Sequence, residues 1–302
     1  MYMKNFVLLI LAGLLVFGCT GPQAPSGGQP GPGLPGTQPP AAACSPSYSF
    51  SEMQDGTLGG NANLIATVTC AAGKRMAVKL DGVEVISQTP ATNATQPVQF
   101  DFGTPKDGTL KLTVESDGET VFSRDWNVRP LGSDDTKGLE NDAVSFKEWR
   151  AMAVDVDSII TPARVRLFLK RIDFRTQPGT EIVVEIRDDD NGNPGDVVGS
   201  VKRPINATTL SDNWLNFDFA EKPTLQPGRY WVVLRIDQTE SISVVSDSIN
   251  IHYVAIDKQS PGNDYTRQMM LDVDPKTGQA SETQWVPLSY DREYTIVLTS
   301  GN

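Results

Sequence analysis

Residues 181–200 read EIVVEIRDDDNGNPGDVVGS, and the fold depends on whether this stretch is a hairpin, a metal loop or an acid catalyst. The flanks EIVVEIR and VVGSV are rich in β-branched residues and have no helical period, so they read as strands. Between them, Arg187–Asp196 gathers four aspartates and two asparagines in ten residues. Asn, Asp, Gly and Pro are what a tight connection needs for local hydrogen bonds and positive φ, which makes a turn the first reading. Calcium is the second. Asp189, Asn191 and Asn193 have the 1, 3, 5 oxygen spacing of a calcium loop, and Asp188, Asp190 and Asp196 add hard oxygen ligands. Pro194 stands where a helix-loop-helix site needs Gly, and Ser200 where it needs a bidentate Glu. A non-helical Ca2+ loop therefore stays open beside the bare turn.

Working outward, the same pattern of short strands continues on both sides. RAMAVDV, RVRLFLKRI, EIVVEIR, VVGSVKR, WLNFDF, RYWVVLRI, INIHYVAI and EYTIVLT give eight strands across residues 146–302, which predicts a jelly-roll-like sandwich. FKEWRAM, at Phe146–Met152, is ambiguous, because Phe146, Trp149 and Ala153 also fit helical spacing. Upstream, NLIATVTC, RMAVKL, VEVI, PVQFDF, TLKLTV and TVFSRDWNV are separated by turn signals that include two Asp-Gly pairs. That predicts an immunoglobulin-like sandwich over residues 44–130. RPLGSDDTKGLEND lacks periodicity, so residues 131–145 read as the join. The expected fold class is all-β, with two β-sandwich domains.

The N-terminal end has a different character. Residues 1–18 hold one Lys at position 4 and an apolar run from Phe6 to Phe17, 12 residues long, which is too short to span a bilayer and reads as an export signal. Gly21–Pro40 is GPQAPSGGQPGPGLPGTQPP, in which 13 of 20 residues are Gly or Pro, so residues 19–43 read as a tether without a core. Extended as polyproline II at ~3.1 Å per residue, it reaches up to ~75 Å.

Val16-Phe17-Gly18-Cys19 resembles the lipobox of prokaryotic lipoproteins. The resemblance implies cleavage before Cys19 and lipidation of its thiol, with two acyl chains giving stable anchoring. Three cysteines then resolve into one lipidated residue and a Cys44–Cys70 pair. If Tyr48–Ser51 pairs antiparallel with Leu64–Thr67 about a turn near Thr57, the two cysteines fall opposite one another; two buried thiols are the alternative. EIVVEIRDDDNGNPGDVVGS and WLNFDFAEKPTLQPGRYWVVLRI together resemble a β-sandwich module of prokaryotic exported, surface-anchored proteins. Leu225, Pro227, Gly228, Tyr230 and Trp231 match its Leu-x-Pro-Gly-x-Tyr-Trp strand, and Trp285 its late Trp. The last strand, EYTIVLTSGN, lacks the aromatic ending of that pattern. The resemblance implies an accessory or adhesive region without catalysis.

Composition narrows the chemistry. A net charge of −11 argues against nucleic acid or a bare anionic lipid surface as partner. The one histidine, His252, sits in the strand INIHYVAI, and no Gly-x-Ser-x-Gly elbow accompanies it, which argues against serine or cysteine hydrolase chemistry. One His and a separated Cys pair supply no zinc ligand set. Asp155, Asp157, Glu181 and Glu185 leave carboxylate-only glycosidase chemistry as an alternative. In GRYWVVLRI, Tyr230, Val232, Leu234 and Ile236 share one face, and Trp231, Val233 and Arg235 the other. Trp231 with Arg235 is then either an outward sugar or protein contact or a residue covered by neighbouring loops. Asn93 and Asn206 lie in Asn-Ala-Thr acceptor triplets for glycosylation.

These readings combine into a membrane-anchored envelope protein, not an enzyme, whose C-terminal sandwich contacts a polysaccharide or an envelope protein. A structural spacer and a carboxylate-dependent glycosidase are the alternatives. Ca2+ is the one cofactor the residues suggest.

Overall fold

The computed structural model describes residues 44–301, excepting 133–139, 146–147, 171–179, 205–212, 239–247, 256–265, 274–279 and 289–291. Cys19 and Asn206 therefore lie outside the described residues. Every regular element among them is a β-strand, so the all-β expectation holds. Residues 44–302 form one compact unit.

The first sandwich is built from β1 (Ser47–Phe50), β2 (Gly56–Thr57), β3 (Asn61–Thr69), β4 (Met76–Leu80), β5 (Val83–Gln88), β6 (Gln96–Gly103), β7 (Gly108–Ser116) and β8 (Glu119–Arg129). One sheet has the order β1-β3-β6 and the other β2-β8-β7-β4-β5. The chain changes sheet between β3 and β4 and again between β5 and β6, the crossing pattern of an immunoglobulin-like sandwich. Alternation explains the faces. In β3, Leu64, Ala66 and Val68 point into the core while Ile65 and Thr67 face outward. The inner faces meet around Phe100, Leu112 and Trp126, and the Trp126 indole donates to the Gln54 carbonyl at 2.8 Å.

β1 pairs with β3 in the register Tyr48↔Val68, Ser49↔Thr67, Phe50↔Ala66. Continued two pairs further, that register brings Cys44 and Cys70 together. They form a disulfide with Cα atoms 5.6 Å apart.

The second sandwich contains β9 (Leu131–Gly132), β10 (Glu140–Ser145), β11 (Glu148–Val156), β12 (Arg164–Lys170), β13 (Thr180–Asp190), β14 (Asn193–Pro204), β15 (Asn213–Asp218), β16 (Gly228–Gln238), β17 (Ser248–Ala255), β18 (Thr266–Val273), β19 (Ala280–Glu282), β20 (Val286–Pro287), β21 (Arg292–Tyr294) and β22 (Ile296–Thr299). One layer runs β14-β13-β16-β11-β18, with β19 and β20 paired to β18. The other centres on β12, flanked by β15 and by β22 and β17. Ile182, Val184 and Ile186 of β13 and Val232, Leu234 and Ile236 of β16 meet Val165, Leu167, Leu215 and Phe217 between the layers.

Two sequence-based expectations are refined here. The join expected over residues 131–145 carries strands, since β9 pairs with β22 and β10 with β17. The ambiguous Trp149 segment is strand β11 and not helix, because Trp149, Ala151 and Ala153 face one side and Met152, Val154 and Val156 the other.

The sandwiches meet closely. Leu58 leaves the first sandwich and is fully buried in the core of the second, which also holds Val156 and Ile160. The Gly59 carbonyl accepts from the amides of Asp157 (2.7 Å) and Ser158 (2.8 Å). Asp107, buried at the same junction, accepts from the amide and hydroxyl of Ser300, each at 2.5 Å.

Candidate functional site

The residues singled out in the sequence lie on and beside the outer face of the β14-β13-β16-β11-β18 layer. The hairpin at their centre is tighter than the composition suggested. β13 continues to Asp190 and β14 begins at Asn193, so Asn191-Gly192 alone forms the turn. Their φ values, +53° and +82°, are those of a two-residue type I′ turn. Register shifts near Arg187 place a bulge in the arm of the hairpin.

The oxygens of the acidic stretch accept from protein donors. Asp188 Oδ1 accepts from the Asp196 amide at 2.6 Å. Asp189 Oδ2 accepts from the Gly192 amide at 3.1 Å, and its Oδ1 from the Trp231 indole at 2.7 Å. Asp190 accepts from the Asn191 side chain at 2.8 Å. Asn193 Oδ1 accepts from Arg267 Nε at 3.1 Å. Among the described residues no group of three or more His, Cys, Asp or Glu side chains is placed to hold a metal ion. The stretch acts as a clasp that fastens the hairpin tip to β16 and β18.

Beneath the clasp lies a second, smaller apolar cluster. Trp149, Ala151 and Ala153 of β11, Trp231 and Val233 of β16, Met269 of β18 and Trp285 pack together on the face turned away from the main core. The alternation that assigns Trp231 to this face is correct, but an outward contact is not what results. Trp231 is 0% exposed, because Trp285, Met269 and the Arg267 guanidinium, 5.0 Å from its ring, lie on this face with it. The covered alternative is the one found.

Arg235 belongs to a charge cluster in the same layer. Glu185, 3% exposed, accepts from Arg187 at 2.7 Å through one oxygen and from Arg235 at 2.9 Å through the other. Both guanidinium groups lie over the Trp149 ring, at 5.8 and 5.1 Å. A carboxylate so deep in the protein costs several kcal/mol to desolvate, on the order of what paired charges must offset. The Trp149 indole N–H, nine-tenths buried, has no hydrogen-bond partner. Toward the rim, burial opposes ionisation of Asp237, but Lys202 at 2.7 Å and Arg235 outweigh it and hold its pKa below the usual carboxylate value.

The remaining carboxylates are tied separately. Asp155 pairs with Arg229 at 2.8 Å, and Glu181 lies 3.9 Å from Lys202. The Asp157 amide contributes to the Gly59 contact. Asn93 is exposed, and its Oδ1 accepts from the Ala72 amide at 3.0 Å. His252 is placed in β17, opposite Asn141 of β10.

Sequence reasoning passed over Trp149, Arg187 and Arg267. The period-2 pattern places Trp149 and Arg187 on outer faces, but only the pairing of β11 with both β16 and β18 gathers them. No protein-family model and no curated protein matches the chain.

Proposed function

We propose that this chain is a lipid-anchored, non-catalytic protein of the cell envelope whose C-terminal sandwich recognises a glycan or another envelope protein. The observation that carries this reading is the construction of the folded part. It begins at disulfide-bonded Cys44, directly after the Gly/Pro-rich stretch, and its two sandwiches share a packed junction through Leu58 and Gly59. A stiff body behind a long tether suits presentation at a distance from the membrane. Glu185 and Asp155, two of the carboxylates that a glycosidase would need free, are held by arginines, which favours binding over hydrolysis.

Membrane partition tests the anchor: a Cys19→Ser variant is expected in the soluble fraction, and one that stays with membranes rules the anchor out. Glycan arrays and capture of purified envelope proteins, with the full chain as probe, test recognition. Retention without release of new reducing ends is the expected result; turnover of a polysaccharide would replace this reading with an enzymatic one. The hydrogen bonds of the acidic stretch also predict a melting temperature indifferent to EDTA and added Ca2+, whereas a rise with Ca2+ would restore the metal-loop reading.

A further inference from the structure

The outer face of the second layer, on β12 and β15, carries a different arrangement from the clasp side. Antiparallel register sets Phe168 opposite Trp214, Arg166 opposite Asn216 and Arg164 opposite Asp218. Val165, Leu167, Leu215 and Phe217 point into the core, so these three rows face outward.

Trp214 is half-buried, edge-on to Phe168 with ring centres 5.6 Å apart, and the Arg166 guanidinium lies 4.8 Å from the centre of its ring. Arg164 is committed to Asp218 at 2.5 Å, and Arg203 reaches across from β14 to the Asn216 carbonyl at 3.2 Å. Arg166 differs from both. No described carboxylate pairs with it and no protein acceptor takes its N–H groups. Its plane is nonetheless fixed by the indole, which leaves a fork of donors oriented and unused.

Three guanidinium groups against one carboxylate give a local charge of +2 in a chain of net −11. Screening over ~8 Å at physiological ionic strength lets that local charge govern contact despite the acidic remainder. The clasp side offers no such cation, since Arg187, Arg235 and Arg267 are all engaged.

We infer that β12 and β15 form a binding strip for an anionic saccharide, with Arg166 holding the acidic group and Trp214 and Asn216 contacting the sugar. A planar guanidinium donates in parallel to two oxygens of a carboxylate or sulfate. The apolar edge of an indole beside an exposed amide suits a sugar ring and its hydroxyls. Uronate and sulfated sugars share this chemistry. The inference rests on the recognition role proposed above and assigns it a site and a ligand class.

Titration of the full chain with an oligogalacturonate, a sulfated dextran oligomer and a neutral cello-oligosaccharide tests it. Binding is expected for an anionic probe, weakening as NaCl is raised. Arg166→Gln and Trp214→Leu are each expected to weaken it about tenfold or more. Lys106→Gln, an exposed lysine of the first sandwich with the same charge change, is expected to bind like the parent, with melting temperatures confirming that all variants fold. Anionic-probe binding unchanged by Arg166→Gln, or binding of the neutral probe alone, overturns the strip and leaves the recognition role standing. Loss of every saccharide and envelope-protein interaction removes both.

Discussion

At Glu185 one carboxylate neutralises the facing edges of Arg187 and Arg235, each within 3 Å, and both arginines cover Trp149. Removing the charge would leave two buried cations facing one another. Glu185→Gln is therefore expected to destabilise the chain by about 3–5 kcal/mol, measured by urea unfolding. A shift under ~0.5 kcal/mol would mean that the pair is solvated. Trp231 makes a milder case. Trp231→Phe keeps the ring packing and removes the N–H donated to Asp189, which still accepts from the Gly192 amide. The expected loss is about 1–2 kcal/mol. Alternation along GRYWVVLRI was enough to assign Trp231 to the face opposite the main core. It was silent on cover, because the covering residues Trp285 and Met269 come from strands far along the chain.

Turns are the elements that read most directly from sequence. Asp81-Gly82, Asp117-Gly118 and Asn191-Gly192 all adopt the paired positive φ of type I′ hairpins, since these residue pairs tolerate that region and it matches strand twist. Gly192→Ala is expected to cost about 1–2 kcal/mol by forcing a Cβ into the left-handed region. The Asp117 turn has a second role. Its carboxylate accepts from Lys74 Nζ at 3.0 Å and from the Arg75 amide at 2.9 Å, which holds its pKa below the ordinary 3.8. The folded state thus binds this proton less readily than the unfolded state. The contribution is present above pH 3.8 and is lost as pH falls through the lower folded value. An Asp117→Asn variant is expected to show a flatter acid limb in a pH series of denaturation midpoints; an unchanged limb would sink the assignment. The β1–β3 pairing was legible as well, through cysteine parity and register. Reducing Cys44–Cys70, 26 residues apart, is expected to lower stability by about 3 kcal/mol.

Across the whole folded part, the junction makes two sandwiches behave as one body. Leu58 belongs by sequence to the first and by packing to the second, and Gly59 and Asp107 add hydrogen bonds on either side. Leu58→Ala is expected to cost about 2–5 kcal/mol. Hydrogen exchange should show protection in β3 and β13 falling together, and two separate transitions in the parent protein would refute a shared cooperative unit. None of this was visible in a sequence that marks residues 131–145 as a join, because Leu58 reads only as a residue near a turn. By itself the sequence determined the strand pattern, the hairpin turns, the acidic balance and the pairing of Cys44 with Cys70, all of which follow from period-2 alternation, local φ requirements and counting. Tertiary structure alone decided that Trp231 is enclosed, that the acidic stretch spends its oxygens on Trp231, Arg267 and its own amides, and that Arg166 keeps its donors unused. The physical reason is distance along the chain. The Asp189–Trp231 and Asn193–Arg267 bonds join residues 42 and 74 positions apart, and burial or ion pairing at such range depends on which strands become neighbours.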